Sequence, residues 1–409
     1  MAEIYGNCWC NLAATAGGGL STRPAGIFSR RNPEVIKPLR IPLPTSDGVE
    51  FTIVDEERWT DFVKLAPLNR RAWVCQERLL SPRILHFGVD EIYWECSSGR
   101  ASETFPNGEP QVDTTTTGAN ETLVRTHRVE PNEADALNSW LDVVETFAAC
   151  ELTYTSDKLF AIAGMAKHFQ SRFSVVDYLA GMWRTSIERQ LLWKVDGVGL
   201  ATRSEAYRAP TWCWSSIDGW ISSTRAVEDA EVLVKVLDAS ITLESIDPFG
   251  GVSSGRLRMS GRLLRCKAAF DARYFPGLRL LMDEALDEIA YHADTDPSLE
   301  PSNEAALYAM PILLEDITYP DGVDNAEEPN KVGGDENIID DGEVYVRMIL
   351  QGLVLERSRI TSGQYRRVGC FETAVPKEVE TIMQGKEPIL EETEYEGFDG
   401  YNQYTISII

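Results

Sequence analysis

Apolar residues change their spacing part-way along the chain, and this change restricts the fold more than any other feature. Leu137, Trp140, Leu141, Val144, Phe147 and Ala148 form one stripe, and Leu159, Ile162, Ala163, Ala166 and Phe169 a second. Leu179, Met182, Trp183, Ile187 and Leu191 form a third. Recurrence every three or four residues predicts three amphipathic helices, with Asn132, Asp157 and Asp177 as their capping candidates. After Pro210 the period falls to two: Val232, Val234 and Val236, then Leu257 and Met259, then Val344, Val346 and Met348. Together with the apolar run at 404–409, this predicts a β-rich C-terminal region. Helices followed by strands, rather than alternating with them, define the α+β class.

Ahead of the helical stretch the signals are local. Asn69 is placed to cap a helix running to Leu80, with Pro82 just past its end. Trp73, Gln76, Glu77 and Leu80 then share the face expected to meet the core, so an amide and a carboxylate need partners there. Arg83 to Phe87 and Glu91 to Cys96 read as a hairpin about Gly88, Val89 and Asp90, with Tyr93 and Glu95 on one face of the second strand. Residues 1–15 read as a buried strand or short helix, 30–43 as a surface connection and 97–120 as a loop.

Bulk properties remove several function classes. With 409 residues the chain has room for two or three domains, and 43% hydrophobic and 25% charged residues is ordinary globular usage. A net charge of -25 repels phosphate backbones, which argues against nucleic-acid binding. The first residues lack the pattern of a secretory signal, and no run approaches the roughly 20 apolar residues of a membrane span. The eight cysteines are scattered, only Cys8 and Cys10 lying close together, as expected of reduced thiols in the cytoplasm. Four separated histidines offer no zinc spacing, so no metal is expected, and Gly17, Gly18 and Gly19 lack the lysine of a phosphate loop. Eleven acidic residues and one lysine between Glu315 and Glu343 predict a solvated loop at about residues 315–343.

The stretch from Pro67 to Pro82 carries Arg71, Trp73 and the pair Gln76–Glu77, followed by Leu85, His86 and Phe87. This resembles a hallmark of the fungal heterokaryon-incompatibility (HET) domain: Arg, any residue, Trp, two residues, Gln-Glu, then an apolar tail to Leu-His-Phe. Residues 157–164 (Asp-Lys-Leu-Phe-Ala-Ile-Ala-Gly) and 209–215 (Ala-Pro-Thr-Trp-Cys-Trp-Ser) resemble segments that often follow in such proteins. Ile4, Tyr5, Asn7 and residues 13–15 resemble the part just before the hallmark. Two earlier hallmarks of the family have no counterpart, so the resemblance implies the C-terminal half of a HET domain with α/β character at 1–115. A helical subdomain at 116–205 and a β-rich region at 206–409 complete the expected organisation.

The resemblance implies a role in self/non-self recognition and programmed cell death, exercised with a protein partner. HET domains are remotely similar to Toll/interleukin-receptor domains, some of which cleave the nicotinamide bond of NAD with a glutamate. NAD is therefore the candidate cofactor, Glu77 the candidate catalytic carboxylate, and Arg71, Trp73 and Gln76 candidate binding residues. Against this stands a scaffold reading, in which Gln76 and Glu77 only fix the helix, Trp73 and Trp94 pack, and the domain is a non-catalytic binding or regulatory module. Cys75 reads as a buried thiol and His86 as a hydrogen-bonded core histidine. Trp212 and Trp214 read as one face of a strand, packed in the core or else marking a groove, and Glu91 with Glu95 as a generic acidic pair on exposed strands.

Overall fold

The structure, a computed structural model, describes residues 2–17, 27, 31–32, 34, 36–42, 50–55, 57–110, 133–173, 175, 177–196, 201–225, 230–270, 278–282, 288–295, 307–319, 345–374, 379, 382–383 and 390–409. Helices take up 24% of the chain and strands 37%, which makes it a mixed α+β protein. It forms two compact units, one of Met1–Ile187, Arg203–Ser223 and Ile241–Gly255, the other of Glu188–Thr202, Thr224–Ser240 and Arg256–Ile409. The expected boundary at 115/116, the glycines at 18 and 19 and the capping candidate Asn132 lie outside the described residues.

The first unit opens with helix α1 (Ala2–Gly6) and strand β1 (Asn11–Ala13). A separate ribbon pairs β2 (Leu39–Pro42) with β3 (Glu50–Ile53), so the proline-bearing stretch read as a connection contains a strand. Helix α2 spans Ala72–Leu80, and β4 (Arg83–Phe87) and β5 (Ile92–Cys96) follow as the expected hairpin. Gly99–Ser102, read as loop, is a third antiparallel strand, β6, on the edge of β5. Parallel pairing of β1 with β4 completes a sheet of order β1-β4-β5-β6. Alternation on β5 buries Tyr93 and Glu95 and leaves Ile92, Trp94 and Cys96 half-exposed, the two faces expected of a strand covered on one side.

Two of the three expected helices form as helices: α3 (Glu133–Ala148) and α4 (Lys158–Phe173), the latter entered through a tight turn at Thr155–Asp157. The third stripe does not. Tyr178–Leu179 and Met182–Trp183 are a two-stranded turn, and only Ile187–Gln190, α5, is helical. Asp177, Ala180 and Ser186 have φ of 56°, 50° and 49°, and Gly181 of 105°; left-handed residues at these points interrupt a helix whatever the apolar spacing. Tertiary bonds hold that conformation, since the indoles of Trp140 and Trp214 both donate to the Gly181 carbonyl, at 3.2 and 2.8 Å, and Ser215 Oγ donates to Ala180 at 2.6 Å. Trp140, Phe169, Tyr178, Trp183 and Phe249 make a chain of ring contacts with centroids 4.9 to 6.5 Å apart. Each fully buried ring of this kind contributes roughly 1.5–3 kcal/mol by area.

The second unit contains most of a large sheet, whose strands include β7 (Lys235–Leu243), β8 (Val252–Gly261), β9 (Leu264–Phe270), β10 (Leu278–Met282), β11 (Glu288–Ala293), β12 (Leu307–Tyr319), β13 (Tyr345–Arg357), β14 (Gln364–Thr373) and β15 (Tyr404–Ile408). Six of them close on themselves. Antiparallel pairings run β9–β10, β10–β11, β11–β14, β14–β13, β13–β12 and back from β12 to β9. Register shifts at Pro311/Leu313 on β12 and Val354/Leu355 on β13 bend the two longest strands, and proline is tolerated at such an irregularity. The apolar cluster associated with these strands includes Leu264, Tyr291, Leu350, Val354 and Phe371, together with Val379 and Ile382. A closed ring has no free sheet edge to satisfy. Residues 315–319, assigned from the sequence to the acidic loop, belong to β12; residues 320–344 lie outside the described residues.

Candidate functional site

Helix α2 carries the candidate residues Trp73, Gln76 and Glu77, and the fourth, Arg71, stands at its N-terminal cap. Its start is at Ala72 rather than just after Asn69: the Asn69 amide nitrogen donates 2.7 Å to the Val63 carbonyl while its amide oxygen, the atom that would cap, accepts no bond among the described residues, and Arg71 occupies the cap without a side-chain bond. The helix is also turned from the expected orientation. Ala72, Cys75, Gln76 and Leu79 are buried, whereas Trp73, Glu77 and Leu80 are half-exposed and Arg71 is exposed. Glu77 therefore borders solvent instead of facing the core.

The structure gives Gln76 and Glu77 separate partners. Gln76, 2% exposed, lies against Gly164 on α4, where any side chain at Gly164 would collide with its amide oxygen. Glu77 accepts a hydrogen bond from the Tyr5 hydroxyl on α1; burial first, and this bond second, push that hydroxyl up to about 12. Its backbone carbonyl accepts from Ser81 Oγ at 2.6 Å. Arg71 forms a backbone bridge with Glu151.

Next to these residues lies a buried polar network. Arg78 clasps Glu95 with two bonds, Nε to Oε2 at 3.0 Å and Nη2 to Oε1 at 3.1 Å. His86 Nε2 lies 3.0 Å from the same Oε2, and His86 Nδ1 lies 3.0 Å from Thr15 Oγ1. A second carboxylate, Glu91, is wholly buried, held by Arg58 Nε at 2.6 Å and by the backbone and hydroxyl of Thr104 at 2.8 Å each. Both glutamates are interior anchors rather than an exposed acidic pair. The signal for this was present, because Glu95 alternates with Tyr93 toward the covered face and His86 sits in an apolar strand. The arginines that answer them, Arg58 and Arg78, had no comparable signal.

The two segments resembling HET-family sequence beyond the hallmark also meet. Lys158, 4% exposed, donates to the Ile217 carbonyl, reaches Asp218 Oδ1 at 3.4 Å and lies 5.3 Å from the Trp214 ring centroid. Burial lowers its ammonium to about 8, with Asp218 pulling the other way. Arg208 donates to Ser215 O at 2.7 Å and Thr155 O at 3.0 Å and pairs with Asp218. Trp212 and Trp214 are buried as expected of core residues, though in a turn and a short 3-10 helix rather than on a strand. Among the described residues no cluster of His, Cys, Asp or Glu is arranged to hold a metal ion, and no helix is long and apolar enough to cross a membrane.

No family model, no curated protein and no solved structure matches the chain.

Proposed function

We propose that the chain is a HET-type protein of fungal self/non-self recognition and programmed cell death, located in the cytoplasm, whose hallmark region serves as a scaffold for binding a protein partner. What supports this is the way the HET-like segments interlock. Gln76 of the hallmark packs on Gly164, the last residue of the 157–164 segment, and Lys158 of that segment is bonded to Ile217, just past the 209–215 segment. Segments read as related for their sequence pattern alone thus form one packed assembly, with α1, α2 and α4 as its helices.

A second reading, NAD cleavage, rests on Trp73 and Glu77. These lie one turn apart on α2 and are both half-exposed, so a ring and a carboxylate border the same solvent-facing strip. Arg71 is exposed at the head of that strip, whereas Gln76 is too deeply buried to touch a ligand.

Conditional expression in a filamentous fungus, with viability and cellular NAD followed together, tests both readings. The scaffold reading expects loss of viability with the NAD pool unchanged, and the same result for Glu77→Gln. A fall in NAD that Glu77→Gln abolishes would replace it with the enzymatic reading. Unchanged viability in cells that accumulate the folded chain would sink the incompatibility role itself.

A further inference from the structure

We infer that Cys75 and Cys150 form an oxidisable dithiol site, closed to a disulfide by a peroxide-class oxidant. Cys75 lies on the buried face of α2, and Cys150 lies two residues past the end of α3. The backbone holds these two places together: Arg71 and Glu151 form a parallel bridge, Ala72 N donates to Glu151 O at 3.0 Å, and Glu151 N donates to Arg70 O at 2.6 Å. Within that clamp the two thiols share a hydrogen bond, and Cys150 Sγ also lies 3.3 Å from Thr146 O and 3.7 Å from Asn69 O.

The two sulfurs divide the work. Cys150 is half-buried and therefore open to a small oxidant, while Cys75 is 5% exposed and placed behind it. The Cys75 hydrogen bond holds the Cys150 thiol below its ordinary value, burial opposing and Arg78 assisting. Cys10, Cys266 and Cys370 are shifted the other way, chiefly by burial, so the thiolate form is favoured at Cys150 over those three.

The chemistry balances in two steps. The Cys150 thiolate attacks one peroxide oxygen, the O–O bond breaks, and with one proton the products are a sulfenic acid and water. The Cys75 sulfur then displaces the sulfenic hydroxyl, giving the disulfide and a second water. In sum, two thiols and one hydrogen peroxide give one disulfide and two waters. The bond would staple α2, with Trp73 and Glu77 on it, to the end of α3.

Treating the reduced full-length chain with hydrogen peroxide, then counting thiols under denaturing conditions and mapping peptides by mass spectrometry, tests the site. We expect the eight thiols to fall by two, a linked peptide pair containing Cys75 and Cys150, and a dimedone-reactive Cys150 in Cys75→Ser. Circular dichroism of the variant, matched to the wild type, checks that it is folded, and the wild-type peptide map stands without it. Retention of all eight thiols, a link joining other cysteines, or a folded Cys75→Ser whose Cys150 stays unreactive would each overturn the assignment.

Discussion

Lys158 keeps an ammonium 4% exposed, and its bonds to the Ile217 carbonyl and Asp218 only partly replace lost water. Its ordinary value of 10.5 falls to about 8 in the folded protein. Between these values the unfolded chain binds more protons at this residue than the folded one, so this contribution to stability rises with pH across the window and is flat below it. Urea unfolding of the wild type and Lys158→Met from pH 8 to 10 checks the sign: the wild type should gain on the variant by up to about 1.4 kcal/mol per pH unit. Parallel curves would mean that the residue is not desolvated. Arg78 with Glu95 is a different case, a bidentate pair in which each charge satisfies the other, where loss of one partner strands the second.

At the scale of elements, the contact of α2 with α4 depends on the absence of a side chain at Gly164. Gly164→Ala would press on the Gln76 amide and bring a methyl 3.1 Å from Ala2 Cβ, an overpacking expected to cost roughly 1–3 kcal/mol. In a Gln76→Ala background most of that cost should disappear, and a double-mutant cycle by chemical denaturation measures the coupling. Additive effects would mean that the two helices do not interlock there. Much of this level could be read from the sequence: the hairpin of β4 and β5, helices α3 and α4, and the final strand all follow from periodicity. Where the reading failed, tertiary bonds decided the backbone. The stripe after Asp177 has helical spacing, yet Trp140, Trp214 and Ser215, distant in sequence, fix the residues at 180 and 181 in left-handed turns. The rotation of α2, which turned Glu77 outward and kept Gln76 on the buried face, goes with contacts to Gly164 and Tyr5, neither of which is local to the helix. The closure of six strands into a ring leaves no mark on the period of any one strand.

For the whole molecule, the chain passes between its two units after Ile187, Thr202, Ser223, Ser240 and Gly255. Residues 1–187 are therefore the greater part of one unit but lack 203–223, which supply the Trp214 indole, the Ser215 hydroxyl and the carbonyl that receives Lys158. A fragment ending at 187 should lose near-ultraviolet dichroism and fixed tryptophan fluorescence; a native-like spectrum would show that the later segments are dispensable. The same interleaving bears on inheritance. No single recombination point separates the two units: a break after Gly255 hands on the first whole but carries away 188–202 and 224–240 of the second. Every crossover within the chain therefore divides at least one unit between two parents, and a hybrid folds only where the divided halves still fit each other.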